Sequence, residues 1–154
     1  MHFSLTIGKL PGMTETKLPT MVPMLAYENA SAAIEFLTTA FGFTERFRFT
    51  DDDGRITHAE LAHGDGVVML VDFGNGYESP ATHVRTCEAA RGWMDTPYIV
   101  NGVFVQVGDV RAHFDQAKAG GATMLSEVED TGHGTLYRAA DPEGHRWMFS
   151  QPGE

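Results

Sequence analysis

Residues Asp141–Phe149 read DPEGHRWMF. A proline and a glycine two positions apart punctuate the chain as a tight turn. The aromatic residues that follow read as a strand. Side chains alternate on a strand. His145, Trp147 and Phe149 therefore share one face, and Arg146, Met148 and Ser150 share the other. One face must pack beneath a helix and the other must look onto a cavity.

Outward from this stretch, 122–130 and 134–141 read as strands, separated by TGHG at 131–134. Before them, Val103, Val105 and Val107 alternate as a strand. Asp109 can cap a helix whose apolar stripe is Ala112, Phe114 and Ala117, and Gly120-Gly121 stops it. The first half repeats the pattern. Asn29 or Ser31 caps a helix carrying Ala33, Ile34, Phe36, Leu37, Ala40 and Phe41, and Gly42 closes it. Strands over 43–50, 55–63 and 66–73 follow. The two caps lie about 80 residues apart, a period that marks an internal repeat. Each half reads strand, helix, strand, strand, strand. The fold class is α+β: two tandem βαβββ modules, 21–73 and 102–151, forming a half-closed eight-stranded sheet around a concave cavity. The 74–101 linker is long enough to hold a short helix or a functional loop. Residues 1–20 read as an extension that must dock to be ordered.

The chain of 154 residues carries a net charge of −10. A surface of that sign opposes nucleic acid and anionic membranes and suits a cationic ligand or simple solubility. No apolar run approaches the roughly 18–20 residues that span a bilayer. The N-terminus lacks the basic and apolar regions of a secretory signal. The expected location is cytoplasmic. One cysteine, Cys87, excludes an intrachain disulfide and a cysteine-based zinc site.

With AAIEFLTTAFGF at 32–43, HAEL at 58–61 and YRAADPEGHRWMF at 137–149, the chain resembles the vicinal oxygen chelate superfamily, which contains glyoxalase, bleomycin-resistance and extradiol dioxygenase types. It is most similar to the glyoxalase/bleomycin-resistance-like subgroup lacking the metal ligands. The resemblance covers about residues 21–151. It implies a small-molecule cavity, a homodimer and, in metal-binding members, ligands on the first and last strands of each module. Those positions fall here at about Val22, at Met69 or Leu70, at about Gly102 and at Met148. None supplies a good ligand for a hard or borderline cation. The resemblance also implies that Met148 takes a ligand's place on the cavity side, leaving Trp147 and Phe149 as core. No cofactor is then expected, with a divalent metal ion as the alternative.

The catalytic or metal candidates are His58 and Glu60, which share one face of a strand and could supply two ligands or a base with its orienting carboxylate. The ligand-binding candidates are Met69, Phe104, Trp93, Tyr137 and Met148. Tyr137 is read as projecting inward, offering a ring to stack and a hydroxyl to orient a ligand. His145 is read as a turn-end histidine bonded to backbone, with Asp141 and Glu143 organising the turn. Three functions stay open: a metal-free protein that binds or sequesters an apolar or aromatic, possibly cationic, compound; a metal-dependent lyase or dioxygenase with its site at His58 and Glu60; and a non-catalytic partner domain.

Overall fold

The computed structural model describes residues 17–93, 95 and 101–153. The 1–20 extension lies outside them, apart from its last four residues, as does Tyr98 of the linker. Module one contains β1 (Met24–Tyr27), α1 (Ala30–Ala40), β2 (Thr44–Thr50), β3 (Ile56–His63) and β4 (Gly66–Asp72). The linker carries α2 (Pro80–Thr86) and α3 (Glu88–Trp93). Module two contains β5 (Gly102–Gln106), α4 (Val110–Ala119), β6 (Thr123–Met124), β7 (Glu129–Asp130), β8 (Gly134–Ala140) and β9 (Arg146–Pro152).

Both caps form as their residue types dictate. The Asn29 side chain accepts from the Ala32 N–H at 3.0 Å, and Asp109 accepts from the Ala112 N–H at 3.0 Å. The sheet orders are β1-β4-β3-β2 and β5-β9-β8-β6, with β7 also on β8. In each module the first strand runs parallel to the last and all other pairs are antiparallel.

Two details differ from the expectation. The 122–130 strand is split into β6 and β7. Leu125 N–H and Ser126 N–H both donate to the Arg138 carbonyl, so two residues oppose one and the ladder breaks at a bulge. The described residues thus hold nine strands, in sheets of four and five rather than one sheet of eight. The α4 stripe also differs: Val110, His113 and Ala117 are buried, whereas Ala112 is exposed.

The modules meet through their helices. Gly120, at the end of α4, lies so close to Ala40 of α1 that an added Cβ would fall 2.5 Å from the Ala40 Cβ. Small residues at this contact let two amphipathic elements share one core. That core takes Leu25, Leu61 and Leu70 from the first sheet, and Tyr137, Trp147 and Phe149 from the second. Phe41, just past α1, touches the rings of both Trp147 and Phe149. The helix-facing sides of both sheets are thereby consumed, and the other side of each sheet is left uncovered by α1 and α4.

Candidate functional site

The uncovered side of the second sheet is built by alternation. Along β9, Trp147 and Phe149 turn into the core while Met148 is half-buried on the other side. Met148 stands directly beside Phe104 of β5 in the ladder. Phe104 is 57% exposed, a large apolar ring held in water by its strand position. Leu125, displaced outward at the β6 bulge, adds to the same wall. A cavity of about 280 Å³ lies here, its other walls including Gly102, Arg138 and Arg146. Arg138 ion-pairs with Glu129 at 3.4 Å. Phe104, Met148 and Leu125 make its wall largely apolar, which suits an apolar body.

The first sheet presents the equivalent face. Met24 stands beside Met69 in register, as Phe104 stands beside Met148. The four positions nearest the ends of the first and last strands are thus three thioethers and a phenyl ring. Neither group suits a hard cation. Val22 and Gly102, which the resemblance assigns to the first-strand ligand positions, stand two residues before Met24 and Phe104.

His58 and Glu60 do share this face. Their side chains lie 3.3 Å apart, His58 Nε2 to Glu60 Oε1. Arg46 also approaches Glu60 at 3.6 Å, so the carboxylate already has a cationic neighbour. Phe47 flanks His58, with ring centroids 6.1 Å apart. Among the described residues, no three His, Cys, Asp or Glu side chains group as a metal site would require. Glu60 pairs with Met69 in the ladder, which brings these two candidates together.

Tyr137 is not on either uncovered face, contrary to the inward projection read from sequence. It pairs with Phe149 across β8 and β9, and directly opposed residues share a face, so it enters the core. His113 holds it there. The Phe41 carbonyl lies 2.8 Å from His113 Nε2, which fixes the ring proton on that nitrogen. Nδ1 then accepts from the Tyr137 hydroxyl at 2.6 Å. Burial lowers the His113 pKa, an effect opposed by the Phe41 carbonyl and reinforced by His63. Burial also pushes the Tyr137 hydroxyl well up. This pair ties α4 and β8 to the end of α1. A histidine three residues into an apolar stripe was the available signal for it.

The DPEGH turn is a latch between modules. Asp141 is buried. Its Oδ1 accepts from the Glu143 and His145 N–H groups, which organises the turn. Its Oδ2 accepts from the Tyr27 hydroxyl at 2.7 Å and Trp147 Nε1 at 3.1 Å. The Glu143 carboxylate does not bond within the turn; it takes the N–H groups of Glu28 and Asn29 at the start of α1. His145 Nε2 donates to the Ala26 carbonyl at 2.6 Å. Gly144 (φ +90°) is required, since a Cβ would sit 2.8 Å from the Ala81 backbone nitrogen. Trp93 does not line the cavity beside Phe104 and Met148; it lies at the end of α3, stacked on His83, in a cavity that Met24 and His145 also line.

The sequence profile described as Glyoxalase/Bleomycin resistance protein/Dioxygenase superfamily matches residues 20–149. Rv0887c, an uncharacterised protein of Mycobacterium tuberculosis strain H37Rv, is 33% identical over 139 residues, covering 87% of this chain and 75% of its own length. Among solved structures, TioX from Micromonospora sp. ML1 is 30% identical with a TM-score of 0.63, over 86% of this chain and 98% of that one. TnmS3, an antibiotic binding protein from Streptomyces sp. CB03234, shares the fold at 18% identity and a TM-score of 0.58, over 90% and 100% of the two chains.

Proposed function

Because the chain belongs to the Glyoxalase/Bleomycin resistance protein/Dioxygenase superfamily, we propose that it binds or sequesters an apolar or aromatic small molecule on the uncovered face of its second sheet, without a metal. The observation that carries this reading is the pairing of Phe104 with Met148 over the apolar cavity. A phenyl ring and a thioether give an aromatic ligand stacking and dispersion, and give a hard cation nothing. TnmS3, which shares the fold, is an antibiotic binding protein, and the same use of the scaffold fits this chain. The net charge of −10 leaves a cationic compound among the candidate ligands.

The binding unit is a homodimer in this reading. Met24 is 71% exposed and Phe104 is 57% exposed, at equivalent places of the two modules. A two-fold arrangement that sets module one of one chain over module two of the other would cover both rows and close the cavity. Light scattering at micromolar concentration gives twice the chain mass if this holds, and a monomer mass contradicts it. No helix among the described residues is long and apolar enough to cross a membrane, and we place the protein in the cytoplasm.

A second reading is favoured by one contact, the 3.3 Å approach of His58 to Glu60 on the uncovered face of the first sheet. It makes the protein a divalent-metal lyase or dioxygenase. Metal analysis of tag-free protein separates the two. Stoichiometric iron, manganese, nickel or zinc that is lost in Glu60→Gln supports the enzyme. Metal-free protein, with no thermal stabilisation by these ions, supports the binding protein.

A further inference from the structure

A second cavity, of about 330 Å³, lies between β1 and the α2–α3 hairpin, with His145 in its wall. Its walls include Met24, Tyr77, Glu78, His83 and Trp93. The hairpin is fixed rather than loosely draped. Glu28 accepts from the Ser79 N–H and the Thr82 hydroxyl, and the Ala81 N–H donates to the Glu143 carbonyl at 2.9 Å. Its inner surface is therefore preformed.

The lining has a definite chemistry. Two rings stack, His83 on Trp93 with centroids 6.1 Å apart. Glu78 supplies a carboxylate, 3.0 Å from His83 Nδ1. No lysine or arginine is among the described lining residues, and the nearby Arg91 is directed to the Val84 carbonyl at 3.0 Å. The surroundings are also negative. Burial, and after it Glu143, Glu28 and Asp141, raise the Tyr77 hydroxyl to about 12. Finally, His145 is 6% exposed and its Nδ1 is buried with no partner. Its Nε2 proton is spent on Ala26, so in the neutral ring Nδ1 is an acceptor awaiting a donor.

We propose that this cavity is a second ligand site, taking a small organic ammonium compound with an aromatic body. The cation lies among the Trp93 and Tyr77 rings and the Glu78 carboxylate, and an N–H group of the ligand turns toward His145. Aromatic faces attract such cations through their quadrupoles. The described lining of this cavity shares no residue with the cavity beside Phe104 and Met148, so the site stands independently of the reading above.

The test is titration of the tag-free full-length chain, and of its Phe104→Ala variant, with phenethylammonium, followed by calorimetry, with phenylacetate measured in the variant as the anionic control so that the first cavity does not contribute. Binding of phenethylammonium should saturate and exceed that of phenylacetate by on the order of tenfold. Glu78→Gln, at an exposed side chain that leaves the fold intact, should weaken it to the level of the control, and Trp93→Leu should do the same. Phe104→Ala should leave it unchanged. Absence of saturation, equal binding of phenylacetate, or loss in Phe104→Ala but not in Glu78→Gln would each overturn the site.

Discussion

Asp141 answers four donors from a position that is 3% exposed: two turn N–H groups, the Tyr27 hydroxyl and the Trp147 indole. Removing an acceptor from buried donors costs more than the bonds themselves are worth. Asp141→Ala should lower unfolding free energy by about 3 kcal/mol or more, measured by urea denaturation. His113 makes a prediction about pH. Its folded pKa lies below the ordinary histidine value because the ring is buried. As pH falls through the ordinary value of about 6.5, the unfolded chain takes up the proton first, so stability is full above that range and declines toward the lowered folded value. Stability of the parent chain should therefore fall between about pH 7 and 5 more steeply than that of His113→Gln, in chemical denaturation at matched ionic strength. At this scale the sequence was partly legible. Alternation set Met148 apart from Trp147 and Phe149, and the family resemblance put the two rings in the core, where they lie. Tyr137 was misplaced because its face depends on its pairing with Phe149, and register between strands is a tertiary property.

Among the elements, the α1–α4 contact is the one on which both modules depend. Gly120 has φ −78°, which any residue adopts, so its role is clearance rather than backbone freedom. Gly120→Ala should push the helices apart and destabilise by about 1–3 kcal/mol, read as a lowered Tm without change in helix content. Helices were legible because cap, apolar period and glycine stop agree within each segment. The strand over 122–130 was not, since its break comes from two N–H groups converging on Arg138, a residue eight or more positions away. The latch made by Asp141, Glu143 and His145 was read as a local turn. Its long-range half, reaching Tyr27, Glu28, Asn29 and Ala26, joins residues more than a hundred positions apart.

For the whole molecule, the repeat gave two modules but not the way they meet. Packing through helices consumes one face of each sheet and leaves Met24, Met69, Phe104 and Met148 on the opposite faces. Function follows from what stands on those faces. Phe104→Asp places a charge at the centre of the proposed interface and cavity together; it should yield a monomer by light scattering while retaining the parent Tm within a few degrees. The central claim is that Phe104 and Met148 hold an organic ligand without a metal. Its most direct test is a titration of protein carrying labelled methionine methyls with a panel of polycyclic aromatic antibiotics, in the presence of a chelator. The account predicts a saturable shift of the Met148 methyl resonance that disappears in Phe104→Asp. Binding that appears only when a divalent ion replaces the chelator, and that Glu60→Gln abolishes, would contradict it.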